Sequence, residues 1–170
     1  DIAPQILHSR SEQGGVRNGY REPKKLGVDR WLAIVGAVTH YGKPVVVWDL
    51  GTATTIDAVD ESGQHIGGWI LPGPATMLDA LGRNTKLTIP EGPVSDGVIE
   101  PGRSTADCIR FGVLAAQVGA LQQFMDSVAD RLGGSPQRIV TGGAGKDLVH
   151  AIGDDCVFDP LLVFRGMLVD

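Results

Sequence analysis

Blocks of apolar and polar positions along the chain predict alternating helices and strands. In the stretch 29–42, apolar residues recur at helical spacing, which predicts a helix that ends at Gly42. Three β-branched runs follow at 45–50, 54–59 and 65–71, with turn residues between the last two. Runs of this length and composition are typical of strands, so they predict an antiparallel meander.

The rest of the chain continues the alternation. A loop rich in proline and glycine is predicted at 85–103, before a long helix over 105–132. The other predicted elements are a short helix at 75–81, a strand at 138–141, a short helix ending at 152, a strand at 156–158 and a last helix at 161–168. This order predicts an α/β fold with a mixed sheet and helices on both of its faces.

The long helix carries its own capping and packing signals. Ser104, with Asp107 three residues later, resembles a capping box at its N-terminus. The predicted apolar stripe is Leu114, Val118, Leu121, Met125, Val128 and Leu132. Glycine weakens a helix interior, so Gly112 and Gly119 predict that another backbone packs closely against this helix.

Composition narrows the class of protein without identifying it. The 170 residues carry a formal net charge of −5, which argues against a general nucleic-acid-binding surface. No apolar run approaches the ~20 residues of a membrane span, so we expect neither a membrane-spanning segment nor a signal peptide. The four histidines lack metal-ligand spacing. Cys108 and Cys156 are too few for a disulfide framework, so we expect buried, reduced thiols in a soluble, cytoplasmic domain.

The segment DLGTATTID, residues 49–57, has the strongest chemical signal. An apolar strand ends at Asp49, and Gly51 and Thr52 turn the chain into a second β-branched strand. A carboxylate beside backbone N–H groups and hydroxyls suits a phosphate with its counter-ion. An ordinary hairpin explains the same letters, because Asp, Gly and Thr are all common at turns. Both interpretations stay open on these residues alone.

Several further motifs carry a resemblance to a known family. In order they are Tyr20-x-x-Pro23, LGVDRW (26–31), DLGTATTID (49–57), GGWILPG (67–73), LTIP (87–90), RSTADCI (103–109) and TGGAG (141–145). With these motifs the chain resembles the type III pantothenate kinases. The match spans nearly the whole chain, and the combination of GVDR with DLGTATTID makes it specific.

The resemblance implies a ribonuclease-H-like, actin-like ATPase domain of the acetate/sugar kinase, heat-shock 70 and actin superfamily. It implies phosphorylation of pantothenate by ATP, the first step of coenzyme A biosynthesis. The expected cofactors are a monovalent cation, potassium or ammonium, and magnesium accompanying ATP. The expected assembly is a homodimer in the cytoplasm, with neither nucleic acid nor membrane as a partner.

One family motif is missing. The Asp-x-Gly-Asn-Thr turn that helps to hold the ATP phosphates is absent from this sequence. The resemblance therefore implies that residues 1–44 are the tail of an N-terminal domain with the acceptor-site segment, and that 45–170 are the C-terminal ribonuclease-H-like domain. We do not expect the chain as given to turn over unaided.

The resemblance assigns the acceptor site to the first of these regions. Asp29 matches the general base, which accepts a proton from the attacking hydroxyl; a helix cap at a helix beginning at Arg30 is the simpler alternative. Arg30 is expected to pair with substrate or developing charge, and otherwise to be an exposed helix charge. Tyr20, Gly27 and Val28 match positions that contact pantothenate, although Tyr20 also suits simple loop packing.

The resemblance assigns the nucleotide site to two turns. Asp49 is expected to coordinate the monovalent cation, with Gly51 and Thr52 on the ATP phosphates. Gly142 and Gly143 match a turn beside the adenosine, although a glycine-rich turn is weak evidence by itself.

Thr105, at the start of the long helix, and Asp57, the last residue of the DLGTATTID segment, complete the expected site. Thr105 matches a substrate-contacting residue where free N–H groups suit the pantothenate carboxylate; an N-cap at Ser104 or Thr105 is the alternative. Asp57 is expected to be structural, or to support residues that contact the ligands.

A non-catalytic regulatory or accessory protein on the same fold is the alternative function, since family relatives have been described as accessory factors for gene expression. Retention of both Asp29 and Asp49 favours the enzyme. The kinase hypothesis requires these two carboxylates to converge on one hollow.

Overall fold

The computed structural model describes residues 6–92 and 99–170, so the central part of the loop predicted at 85–103 lies outside the described residues. The first described elements are two short strands, a 3-10 helix and a buried helix. They are β1 (Glu12–Gln13), β2 (Val16–Arg17), the 3-10 helix Pro23–Lys25 and α1 (Val28–Tyr41). Gly42 follows α1 with φ of 87° and donates its N–H to the carbonyl of Val38, which confirms the predicted helix end.

A five-stranded mixed sheet forms the centre of the fold. Its strands are β3 (Val45–Leu50), β4 (Ala53–Val59), β5 (His65–Pro72), β6 (Gln137–Thr141) and β7 (Cys156–Phe158), in the spatial order β5-β4-β3-β6-β7. The first three are antiparallel neighbours, whereas β6 runs parallel to β3 and β7 parallel to β6. This arrangement confirms the predicted meander and the ribonuclease-H-like α/β fold.

The remaining helices cover both faces of this sheet. They are α2 (Pro74–Asn84), α3 (Thr105–Leu132), α4 (Gly145–Ile152) and α5 (Leu162–Met167). One apolar core joins α1 and α5 to the sheet, and a second joins α3 and α4 to the opposite face. The predicted helix bounds are therefore right to within three residues at each end.

Alternation along β3 decides which side chains face α1. Val45 and Val47 belong to the core under α1, whereas Val46 and Trp48 belong to the core under α3. Successive side chains of a strand point to opposite faces, so Asp49 lies on the α1 side. This register brings a carboxylate to the same face as the start of α1.

The long helix begins and ends at the predicted residues, with two differences. Phe124 is buried where the predicted stripe has Met125, which is only partly buried, because the helix turns by 3.6 residues and the stripe shifts by one position. Close backbone packing at Gly112 and Gly119 is wrong for the described part of the chain: a Cβ built at either position has open space around it. These glycines instead lie toward the surface.

The prediction of buried thiols is also wrong. Cys108 is exposed: it lies in the first turn of α3 and lines the apolar cavity between α2 and α3, next to the buried Ile109. Cys156 is half-buried on the edge strand β7, where burial and the nearby charge of Asp155 raise the pKa of its thiol to about 11. Among the residues that the structure describes, no helix is long and apolar enough to cross a membrane.

Candidate active site

The segment that leads into α1 presents backbone and one carboxylate at the surface. Gly27 is the N-cap of α1, and its carbonyl accepts the N–H of Trp31 at 3.0 Å. Asp29 therefore lies in the first helical turn, where it is exposed. The alternative in which Asp29 caps a helix beginning at Arg30 is wrong, because the helix begins two residues earlier, at Val28, and Gly27 is its N-cap. An acidic group in this turn also suits the positive end of the helix dipole.

Arg30 is not the exposed helix charge that the simpler interpretation expects. The residue is only 8 % exposed, and its side chain contacts Asp57 with Nε–Oδ2 and Nη2–Oδ1 distances of 2.9 and 2.6 Å. Nη1 also donates to the hydroxyl of Tyr20 at 2.7 Å. Burial by itself would lower the pKa of Arg30, but the hydrogen bonds and charge of Asp57 outweigh it and raise the pKa. The guanidinium is thus held as a cation in a fixed orientation.

Sequence reasoning missed the residue that completes this group. His65 is buried, and its Nε2 lies 3.0 Å from Oδ1 of Asp57. Its ring is nearly parallel to that of Tyr20, with centroids 6.1 Å apart. We call Tyr20, Arg30, Asp57 and His65 the Arg30 cluster. The sequence does contain a signal for this group of contacts. Asp57 is an ionisable residue within the β-branched run of β4, and a buried ionisable residue requires polar or charged partners.

Asp49, at the end of β3, lies in a negative environment. Burial raises the pKa of its carboxyl, and the nearby charges of Asp29 and Asp57 raise it further. Gly142 packs directly against it, because a Cβ at this position would collide with the Asp49 carboxylate and the Leu50 backbone. The structure therefore brings Asp29 and Asp49 within electrostatic reach of one another, on the α1 side of the sheet.

A cavity of about 490 Å³ opens beside the ends of β3 and β6. We call it the strand-end cavity; its lining includes Leu50, Gly51, Thr52, Thr76, Asp79 and Gly143. Two contacts fix its floor, since the carbonyl of Thr52 accepts the Gly73 N–H at 2.9 Å and the Thr76 hydroxyl at 2.6 Å. Three residues expected at the nucleotide, Gly51, Thr52 and Gly143, thus share one hollow.

Thr105 lies apart from these groups. It is the exposed first residue of α3, and within residues 6–92 and 99–170 it lines neither the strand-end cavity nor the apolar cavity between α2 and α3. Ser104 is the N-cap: its Oγ accepts the Asp107 N–H at 3.1 Å and donates to the Asp107 carboxylate at 2.7 Å. The N-cap at Ser104 is confirmed, whereas in the described part of the chain the Asp107 side chain contacts the Ser104 hydroxyl and not the Ser104 backbone N–H, which a capping box would use.

No cluster of three or more metal-ligating side chains occurs in the described ranges. A cation at Asp49 would therefore take one protein carboxylate and complete its shell with backbone, hydroxyl or ligand oxygens. Such a shell suits a monovalent ion, whose coordination requirements are less strict, better than a transition-metal ion, which needs a closed set of protein ligands.

Comparison with known proteins identifies the family of the chain. The sequence profile of type III pantothenate kinase matches residues 1–127. The chain belongs to the type III pantothenate kinase family. Members of this family phosphorylate pantothenate with ATP in coenzyme A biosynthesis.

Individual relatives support the assignment. A type III pantothenate kinase from Methylibium petroleiphilum is 40 % identical over 174 residues, covering 99 % of this chain and 67 % of the relative. One from Halorhodospira halophila is 35 % identical, covering 96 % and 64 %. The chain thus spans about two thirds of the length of the curated relatives that it matches.

A solved structure shares the fold. A protein from Campylobacter jejuni described as a Baf family transcriptional activator superposes with a TM-score of 0.59 and 28 % identity, covering 85 % of this chain and 62 % of that one. The division of the present chain after residue 44 into two domains stays a prediction.

Proposed function

We propose that the natural protein at full length transfers the γ-phosphoryl group of ATP to the terminal hydroxyl of pantothenate, giving 4'-phosphopantothenate and ADP. The observation that carries this proposal is the placement of Asp29 within electrostatic reach of Asp49, on the side of the sheet where α1 begins. A base for the acceptor and a ligand for a cation are the two carboxylate roles that the reaction requires.

On the acceptor side, the exposed carboxylate of Asp29 orients the hydroxyl and accepts its proton as the oxygen–phosphorus bond forms. Arg30 offers the part of its guanidinium that Asp57 does not occupy, and Tyr20 flanks it. Backbone groups of the exposed Gly27 and the half-buried Val28 complete the wall. Proton transfer to a positioned side chain contributes about 10²- to 10⁴-fold to a rate.

On the nucleotide side, the residues fit a phosphate chain. Gly51 and Thr52 are exposed at the strand-end cavity. The Gly51 N–H donates to the carbonyl of Ala53 at 3.1 Å, so the Thr52 hydroxyl is the donor that we assign to the phosphates, with Gly51 leaving room for them. A Cβ at Gly143 would meet only open space, which leaves room for a ligand over this turn, whereas Gly142 is packed against Asp49. ATP supplies the transferred phosphoryl group and leaves as ADP when the bond to the bridging oxygen breaks.

Asp49 is assigned to the monovalent cation, potassium or ammonium, and magnesium is assigned to accompany ATP. The raised pKa of Asp49 supports this assignment, because burial and the nearby charges of Asp29 and Asp57 disfavour its ionised form, which a bound cation would favour. A bound cation would lower this pKa again and screen the incoming phosphates.

Thr105 is assigned to the pantothenate carboxylate. The first turn of α3 lies at the positive end of the helix dipole, and Thr105 is exposed there. A homodimer in the cytoplasm belongs to the same proposal. The exposed small residues Gly112, Ala115 and Ala116 of α3 would let a second copy approach and bring an acceptor site near the interface.

The test is a product assay on the natural protein at full length. Pantothenate and magnesium-ATP are supplied with potassium, with ammonium or with sodium alone, and 4'-phosphopantothenate is measured by mass spectrometry. The proposal expects product that depends on both substrates and on potassium or ammonium. Absence of product under all three conditions would contradict it.

A second candidate, a non-catalytic regulatory role, is favoured by one comparison, the Campylobacter jejuni protein described as a transcriptional activator. The two candidates separate cleanly: a regulator would keep its effect on gene expression when Asp29 is replaced by Asn. A regulatory effect in cells together with no product in the assay would favour this second candidate over the kinase.

A further inference from the structure

We infer that Asp57 and His65 position Arg30 and Tyr20 for the acceptor substrate, so that they set affinity for pantothenate without touching it. This inference rests on the proposed function. It adds two positioning residues on β4 and β5, neither of which is expected to meet substrate.

The contacts form a continuous path from the sheet to the surface. His65 is 1 % exposed and Asp57 2 %, whereas Arg30 is 8 % exposed and Tyr20 half-buried. The carboxylate of Asp57 takes Nε and Nη2 of Arg30, which leaves Nη1 for Tyr20. Within the Arg30 cluster, exposure therefore increases from His65 and Asp57 to Arg30 and Tyr20, toward the segment that contains Asp29.

The hydrogen bonds of His65 define its tautomer. Nδ1 accepts the Gly19 N–H at 3.4 Å, while the ionised carboxylate of Asp57 offers only acceptors to Nε2. A neutral ring with its proton on Nε2 satisfies both partners. His65 then donates to Oδ1 of Asp57 and leaves Oδ2 to Nε of Arg30, so the carboxylate is held from both sides.

The neighbouring strand is built around this ion pair. Gly68 lies opposite Asp57 in the register of β4 and β5. A Cβ at Gly68 would collide with Oδ1 of Asp57 and lie 2.7 Å from Nη2 of Arg30. The glycine thus leaves room for the guanidinium to lie flat against the sheet. A residue with a side chain here would push Arg30 out of this orientation.

Fixing Arg30 has a chemical consequence for recognition. Arg30 also lies 5.6 Å from the Tyr20 ring centroid, a cation–π distance, so both residues move together if the Asp57 contact is lost. A preorganised guanidinium loses less entropy when it binds an acceptor oxygen than a free one does. Loss of Asp57 should therefore weaken pantothenate binding and leave ATP binding unchanged.

The test compares Asp57→Asn with a matched control, Asp159→Asn. Asp159 is also a buried carboxylate, 4 % exposed, and it pairs with Arg165 Nε at 2.7 Å and Tyr41 Oη at 2.9 Å at the α1–α5 contact. Steady-state KM values for pantothenate and ATP are measured on the full-length protein. We expect KM for pantothenate to rise about 10- to 100-fold in Asp57→Asn, as for loss of a charged hydrogen bond, with KM for ATP within twofold of wild type. Asp159→Asn should change neither KM.

Two further measurements make the result decisive. In an Arg30→Lys background, Asp57→Asn should have less than a twofold further effect on KM for pantothenate, because its effect acts through Arg30. If Asp57→Asn does not fold, His65→Ala should raise the same KM, and His65→Gln, which keeps a donor near the Nε2 position, should restore most of it. An unchanged KM for pantothenate, or an equal rise for both substrates, would overturn the inference.

Failure of the inference and of the proposed function give different results. Calorimetric titration with pantothenate needs no turnover, so it compares wild type and Asp57→Asn even if no product forms. Binding without product would contradict the kinase proposal alone and leave the Asp57 comparison to decide the inference. Wild-type activity with no change in Asp57→Asn would overturn the inference alone.

Discussion

Replacing Asp57 by Asn should be far more destabilising than breaking an ion pair of similar geometry at the surface. The Arg30–Asp57 pair has a 2.6 Å contact with side chains 9 % and 3 % exposed, whereas the Arg83–Asp79 pair has a 2.9 Å contact with side chains 77 % and 54 % exposed. The contact distances of the two ion pairs are thus nearly equal, and the pairs differ mainly in how deeply their side chains are buried.

The magnitude follows from what each substitution leaves behind. Removing one partner of a buried pair costs about 3–5 kcal/mol, because the remaining charge stays desolvated. Asn still offers Arg30 one acceptor, so we expect about 3 kcal/mol for Asp57→Asn. Exposed pairs contribute about 0–1 kcal/mol, and Asp79→Asn should fall near the lower end of that range.

The assay is urea unfolding followed by circular dichroism at neutral pH, with the free energy of unfolding obtained by linear extrapolation. A loss of about 3 kcal/mol corresponds to a fall in Tm of roughly 6–12 °C for a chain of this size. Because domains are stable by about 5–15 kcal/mol, the variant should remain folded for kinetics. Equal losses for Asp57→Asn and Asp79→Asn would refute the reasoning.

Three other predictions concern the strand ends and the pH dependence of stability. Gly142→Ala should destabilise the fold by about 1–3 kcal/mol in thermal unfolding, because φ is +86° and the new Cβ would collide with Asp49 and Leu50. The control is Gly143→Ala, where the new Cβ has open space and the loss should be less than about 1 kcal/mol. Equal losses of stability in the two variants would contradict this prediction. The pKa of Asp49 is raised in the folded state, so its ionisation weakens the fold as pH rises above the ordinary carboxyl range. Asp49→Asn should therefore raise Tm at pH 7 and abolish the stimulation of activity by potassium. A Tm lower than that of wild type would contradict the predicted direction of the stability change. Burial would raise the pKa of Asp159, but its hydrogen bonds and the charge of Arg165 outweigh burial and lower the pKa. The stability that this carboxylate contributes is therefore present above its pKa in the unfolded chain and is lost as pH falls through its pKa in the folded state. Asp159→Asn should make the free energy of unfolding less dependent on pH at acid pH, and an unchanged slope would refute this prediction.

The sequence predicts the scaffold well because local signals and long-range packing agree there. In β3 the run Val45 to Trp48 is apolar on both faces, as expected for a strand between two helical layers. Gly42 and Ser104 act as the helix boundaries that their residue types indicate. Where the two levels agree, spacing alone is enough to place an element within a few residues.

The candidate site is less predictable because its contacts join distant parts of the chain. The pairing of Arg30 with Asp57 spans 27 residues and depends on which face of β4 meets α1. His65 has an ordinary strand position in the sequence, and only the register of β4 and β5 brings it near that pair. Residue type also misleads at Cys108: cysteine is commonly buried, but this side chain lies at the cavity between α2 and α3 and is exposed.

The measurement that tests the account most directly is turnover by Asp29→Asn in the full-length protein, beside ATP affinity measured on the same sample. Removing the carboxylate that accepts the hydroxyl proton should lower kcat for 4'-phosphopantothenate formation by about 10²- to 10⁴-fold. The Kd for ATP should stay within twofold of wild type, because Asp29 lies outside the lining of the strand-end cavity. A kcat near the wild-type value would contradict the placement of the reaction between Asp29 and Asp49.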